Sequence, residues 1–198
     1  MGYCQSRVPP ETLEKLLEKT RFSTQEIEEW YTIFDEYYKD PNDPSKPAAL
    51  TKTCFVEENI ATHGGDPALW EYLFSLMDTN DNNLLEFEEF AILMNVQDSS
   101  EDRLKWTFRF FDVNKDGFVD AAEMLHIFTW LFELVEVKEA RASLPPDQDT
   151  PERRVKALFS KFDLQYDGKL TLEEFMKGCM DDPGIMEIML NEELSQDW

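Results

Sequence analysis

Three stretches of this chain are built on one grammar: FSLMDTNDNNLLEFEEFAIL, FRFFDVNKDGFVDAAEMLHIF and FSKFDLQYDGKLTLEEFMKG. Each joins an apolar, aromatic helix end to an acid-rich loop of twelve residues, and a second helix begins inside the loop's last turn. A repeat of this kind leaves little freedom of architecture, because every copy is a helix-loop-helix that must bury its apolar face against a neighbour. The incoming helices carry the 3.6-residue period, with Leu104, Phe108 and Phe111 on one face in the middle repeat and Val155, Leu158, Phe159 and Phe162 in the last. Thr150-Pro151-Glu152 reads as an N-cap followed by proline at the first helical position, and Asp182-Pro183 opens a last helix with Ile185, Met186 and Met189. RASLPPDQD, between the second and third repeats, breaks the helical pattern and reads as a surface linker.

The spacing of the acids inside the loops carries the chemistry. A large hard cation takes six to eight oxygens, and a twelve-residue loop supplies them from positions 1, 3 and 5, the carbonyl at 7, position 9 and a bidentate glutamate at 12. In the middle loop these are Asp112, Asn114, Asp116, the Phe118 carbonyl, Asp120 and Glu123, with Gly117 at the sharp turn of position 6. The first loop offers Asp78, Asn80, Asn82, the Leu84 carbonyl, Glu86 and Glu89, with Asn83 where glycine is expected; asparagine tolerates a left-handed turn better than other side chains. The last loop has Asp163, Asp167, the Lys169 carbonyl, Thr171 and Glu174 in place, but position 3 is Gln165, a longer neutral ligand. Two or three calcium ions are therefore expected, with magnesium an alternative occupant of the weaker loops. Val119, at position 8, is expected to pair with the neighbouring loop as a short strand.

Such motifs come in pairs, so three loops imply a fourth that no longer chelates. Upstream of Asp78, Ser23 and Glu26 form a capping box, and Ile27, Trp30, Tyr31 and Phe34 make a helical stripe. With Asp40 and Asn42 at positions 1 and 3, Pro44 falls at position 5 and Thr51 at position 12, and no bidentate carboxylate remains. Pro41, Pro44 and Pro47 make this stretch a rigid turn. The expected fold is all-α: four EF-hand motifs in two pairs, short antiparallel β bridges between paired loops, and terminal helices. The expected boundaries are an N-terminal arm over 1–22, a first pair over 23–96, a second pair over 97–181, and a C-terminal helix and tail over 182–198.

Charge and composition narrow the function. Forty-two acidic against 19 basic residues give a net charge of -23, which repels nucleic acid and anionic lipid by the same Coulomb law that draws cations. No run of apolar residues is long enough for a membrane span, and the first 20 residues lack a secretory core, so a cytoplasmic location is expected. The three cysteines, Cys4, Cys54 and Cys179, match no zinc spacing and read as reduced thiols. With only His63 and His126 as histidines and no nucleophile-base pairing suggested, an enzyme is not expected.

EIEEWYTIF before a non-binding loop, RLKWTFRFFDVNKDGFVD, TPERRVKALFSKFD, DGKLTLEEFMKG and DPGIMEIML, together with MGYCQS, resemble the neuronal calcium sensors, the recoverin, frequenin, visinin-like and guanylate-cyclase-activating group. The resemblance runs from about residue 23 to residue 190. It implies two EF-hand pairs, calcium-dependent exposure of an apolar groove in the amino-terminal half, and regulation of a membrane-associated target such as a guanylate cyclase, receptor kinase, lipid kinase or channel. The non-binding loop upstream of Asp78 departs from the family, being longer and lacking its short Cys-Pro turn; counted from it as the first, Asp78–Glu89, Asp112–Glu123 and Asp163–Glu174 are the second, third and fourth loops.

Two further features bear on a switch. Met1-Gly2 with Ser6 fits the pattern for N-myristoylation of Gly2, with Cys4 a second candidate acceptor; Tyr3 beside the glycine argues against it, and an unmodified terminus stays open. Most of the phenylalanines are expected to be interhelical core, while Trp30, Tyr31, Phe34, Phe87, Phe90 and Met94 are the candidates for an outward groove that takes an amphipathic helix of the target. Ile185, Met186, Met189 and Leu190 are expected to pack on the second lobe. A calcium buffer without a switch is the alternative function, and the oligomeric state is open.

Overall fold

The computed structural model describes residues 8–43, 45–97, 100–134, 148–165 and 167–181. Gly2, Cys4, the linker over 141–147 and the final helix and tail over 182–198 lie outside the described residues. The chain divides into two compact units, one formed by Met1–Glu58 with Glu71–Asp98, the other by Asn59–Trp70 with Ser99–Trp198.

In the first unit the amino-terminal arm is a helix, α1 (Pro10–Lys19), started by a proline at its first position and burying Leu16 completely. α2 (Thr24–Tyr38) begins at the expected capping box: the Glu26 amide donates to Ser23 Oγ at 3.3 Å, and the Ser23 amide donates to Glu26 Oε2 at 2.7 Å. Strand β1 (Ala49–Thr51) leads into α3 (Lys52–His63); α4 (Pro67–Met77), β2 (Leu84–Glu86) and α5 (Phe87–Gln97) follow. β1 pairs antiparallel with β2, Leu50 opposite Leu85, and both leucines are buried. The sequence expectation of a paired but non-binding first loop therefore holds in its pairing.

α2 and α5 meet through aromatic rings. Phe34 lies 5.7 Å from the Phe87 ring and 5.1 Å from Phe90, and Tyr31 meets Phe87 edge-on at 4.9 Å. Buried rings of this size stabilise a fold by about 1.5–3 kcal/mol each. Of the six groove candidates, Phe34, Phe87, Phe90 and Met94 are buried, and Trp30 and Tyr31 half-buried. They do not form an outward stripe, because α2 and α5 use these rings to hold each other. The exposed apolar side chains of α2 are Ile33 and Tyr37.

The second unit contains α6 (Ser100–Phe111), β3 (Val119–Asp120), α7 (Ala121–Leu131), α8 (Pro151–Phe162), β4 (Lys169–Leu170) and α9 (Leu172–Asp181). Thr150 caps α8 ahead of Pro151, as the sequence implies. β3 pairs antiparallel with β4, Val119 opposite Leu170, both fully buried. Phe111 packs 5.6 Å from Phe128 and 5.9 Å from Phe175, so α6 shares an aromatic core with α7 and α9, the outgoing helices of the two loops. Phe159 is only half-buried, whereas Val155, Leu158 and Phe162 face inward. The turn between α3 and α4 also belongs here: Gly64 bridges to Leu134, and Trp70 Nε1 donates to the Gly64 carbonyl at 2.8 Å.

Candidate metal centres

Each loop is organised by the same set of hydrogen bonds. The position-1 carboxylate accepts from the amides of positions 5 and 6: Asp78 from Asn82 at 3.1 Å and Asn83 at 2.8 Å, Asp112 from Asp116 and Gly117 at 3.0 Å each, and Asp163 from Asp167 at 3.2 Å and Gly168 at 2.9 Å. The position-5 side chain accepts from the position-7 amide: Asn82 from Leu84 at 2.8 Å, Asp116 from Phe118 at 2.9 Å, and Asp167 from Lys169 at 3.0 Å. Asn80 and Asn114, at position 3, accept from the position-5 amide in their loops. This wrapping needs a left-handed residue at position 6, which Gly117 supplies at φ +85° and Asn83 at φ +61°. Asp81 and Lys115, at position 4, are left-handed as well, at φ +55° and +59°. The sequence reading did not single out either.

The position-12 glutamates close the loops. Glu89 Oε1 accepts from the Thr79 amide at 2.8 Å and the Thr79 hydroxyl at 3.0 Å, while its Oε2 accepts from the Glu86 amide at 3.2 Å. Glu123 bridges the amides of Asn114 and Asp120, at 3.0 Å each. Glu174 Oε2 accepts from the Thr171 amide at 3.0 Å and hydroxyl at 2.8 Å; the Thr171 amide bond is the main reason its carboxyl is held below the usual carboxylate range, against the upward push of burial.

The residues fit a calcium ion by two observations. Asp78, Asp112, Glu89 and Glu174 are buried acids, and a buried carboxylate is costly unless its oxygens are engaged. Glu174 Oε1 is buried without a hydrogen-bond partner, at the oxygen a bidentate clamp would use. The second observation is that cationic or N–H groups of the protein already lie against ligand oxygens. In the second loop the Asn80 and Asn82 side-chain amides donate to Glu86 Oε2 at 3.2 and 3.4 Å. In the third loop Lys169 Nζ lies 2.9 Å from Asp116 Oδ2. These donors occupy oxygens, at position 9 of one loop and position 5 of the other, that a bound cation would face.

The acids are nonetheless held apart: among the described residues no three His, Cys, Asp or Glu side chains converge to hold a metal. In the third loop Asp116 is tied to Phe118 and Lys169, Asp120 caps α7, and Glu123 bonds Asn114 and Asp120. Binding would move these oxygens from N–H groups to an ion. In the fourth loop Gln165 stands at position 3, as the sequence implies, and neighbours the Glu174 carboxyl. Asp40 and Asn42 of the first loop instead form a local turn, the Asn42 amide donating to Asp40 Oδ1 at 2.8 Å.

Helix-loop-helix units paired through strands, with oxygen-rich twelve-residue loops, define an EF-hand protein. A family model described as an EF-hand domain pair matches residues 101–180. The chain is 28% identical to visinin from Gallus gallus over 93% of this chain and 94% of that protein. It is likewise 28% identical to neuronal calcium sensor 1 from Lymnaea stagnalis, over 96% of each. The chain is thus similar to neuronal calcium sensors along nearly its whole length, and its residues 101–180 match an EF-hand domain pair.

Proposed function

We propose that this chain is a calcium sensor that binds two or three calcium ions at the loops Asp78–Glu89, Asp112–Glu123 and Asp163–Glu174, uncovers apolar surface, and regulates a membrane-associated target rather than catalysing a reaction. The observation that carries the reading is the position of Glu89. It sits in the first turn of α5, the helix whose Phe87, Phe90 and Met94 are buried in the first unit, with both phenylalanine rings against α2. An ion that draws Glu89 toward the second loop must therefore shift the helix holding those rings, which is how local chelation becomes a change in exposed surface. The rings would then offer a seat to an amphipathic helix of the target, such as a segment of a guanylate cyclase, receptor kinase, lipid kinase or channel.

Charge leaves membrane attachment to apolar groups. Three calcium ions would still leave a chain of net charge -23 acidic, so anionic lipid does not attract it electrostatically. An acyl chain on Gly2 would give reversible attachment, and no helix among the described residues is long and apolar enough to cross a membrane. The test is binding of an apolar dye by wild type and Glu89→Gln, in calcium and in chelator. The sensor reading expects a rise in calcium that is blunted by Glu89→Gln. Calorimetric binding with no change in dye would replace it with a buffer.

A further inference from the structure

The register of β3 and β4 brings one residue of the fourth loop onto the third. Asp120 faces Lys169 across the pair. Lys169 stands at position 7 of the fourth loop, where its carbonyl is the candidate ligand and its side chain has no role within that loop. That side chain instead crosses to the neighbour: Nζ passes 5.0 Å from the centroid of the Phe118 ring and ends 2.9 Å from Asp116 Oδ2. Asp116 is the position-5 ligand of the third loop, and its other oxygen already accepts from the Phe118 amide. One oxygen of a candidate calcium ligand is thus engaged by the loop itself and the other by a cation from the partner loop. The contact is mutual in its electrostatics. Lys169 is the main cause of the low Asp116 carboxyl pKa, and Asp116 the main cause of the raised Lys169 ammonium pKa.

Resting on the reading of the third loop as a calcium site, we infer that Lys169 is a tethered counter-cation that competes with calcium for Asp116 and so lowers the affinity of the third loop. A divalent ion drawing on Asp116 either displaces the ammonium or stands close to a like charge, and both reduce the net gain on binding. Because the Lys169 backbone belongs to the fourth loop, release of its side chain also ties the two loops. By linkage, whatever frees Lys169 strengthens calcium binding next door. The pair lies at the surface, so the effect is modest and weakens with salt.

The test is calcium calorimetry on the full chain, comparing wild type with Lys169→Met, Lys169→Gln, Lys169→Arg and Lys115→Asn. Lys115, at position 4 of the third loop, is exposed and is no ligand; it measures the general field of one positive charge. Lys169→Met and Lys169→Gln are expected to tighten the third loop by about twofold to fivefold at low salt. Lys169→Arg should stay near wild type and Lys115→Asn should gain less than Lys169→Met. The Lys169 ε-methylene resonance of wild type should shift as the third loop fills. Unchanged or weaker binding in both charge-removing variants overturns the inference, and so does an equal gain in Lys115→Asn. If wild type shows Glu123-dependent binding that Lys169→Met leaves untouched, only this inference falls; if wild type binds no calcium at the third loop, the calcium reading falls with it.

Discussion

The two strand pairs invite comparison. β3–β4 joins two loops that both carry position-1 and position-12 acids, whereas β1–β2 joins such a loop to one without a final acid. Its register, Leu50 opposite Leu85 and Thr51 opposite Leu84, sets Thr51 at position 9 and Cys54 at position 12, three residues beyond the end counted from Asp40 in the sequence, because the proline segment lengthens the loop. The pairing is nonetheless alike. Leu50 faces Leu85 in one unit and Val119 faces Leu170 in the other, all four buried. Strand pairing in this protein therefore depends on apolar side chains at the middle of the loop, and chelation on the acids around them. A loop can lose the second without losing the first, which is why the segment of three prolines still leads into a strand.

The comparison breaks first on the leucines. Leu170→Ala, Leu85→Ala and Leu50→Ala should each destabilise the protein by about 2–5 kcal/mol, the usual range for emptying a well-packed apolar site. Urea unfolding in chelator measures this. Leu50→Ala is the informative variant, since it lies where no ion is expected; a silent Leu50→Ala would mean that the first strand pair is incidental.

The acids should behave in the opposite way. Glu123→Gln removes a charge from the candidate clamp of the third loop. Changing groups one step removed from a metal costs about 10–100-fold in affinity, so losing a direct carboxylate should cost at least about 100-fold. Stability in chelator should change little by comparison. Unchanged high-affinity binding in this variant would remove the third loop from the account.

The smallest expected effect concerns α1 of the first unit. Lys15 and Lys19 hold Glu88 at 3.4 and 2.9 Å, one residue before the Glu89 clamp. Burial pushes the Glu88 carboxyl up, but the two lysines outweigh it and hold the group below the usual carboxylate range. A depressed folded pKa means that the contribution is fully present above the unfolded value of about 4.3 and is lost as pH falls through the folded value. With the lysines half-exposed, Glu88→Gln should cost about 0.5–1 kcal/mol at pH 7, and the gap to wild type should close in acid. A gap that persists in acid would assign the effect to packing.

What was legible in the sequence was whatever is written in consecutive residues. The capping box at Ser23 and the left-handed turn at Asn83 depend on neighbours a few positions away, and the structure shows the hydrogen bonds and the backbone angle that the spacing implies. α1 was hidden because ten residues display only two or three helical periods, although Pro9-Pro10-Glu11 and the leucines at 13, 16 and 17 were a usable signal. The Lys169–Asp116 pair joins residues 53 apart, and only the strand register brings them together. The burial of the groove candidates in this structure was not legible in the sequence. Periodicity says that Phe34, Phe87 and Phe90 share faces of their helices, not that α2 and α5 present those faces to each other.

The measurement that tests the separation of pairing from chelation most directly is one calcium titration followed by amide NMR. The position-6 amides of Asn83, Gly117 and Gly168 each donate to the position-1 carboxylate of their own loop, so each reports its own site. The account predicts that Gly117 shifts at the lowest calcium, that Asn83 and Gly168 respond by the end of the titration or at higher concentration, and that amides of residues 40–51 away from the strand show no saturable site. It would be contradicted if Gly117 did not move, or if residues 40–43 titrated like the other three loops.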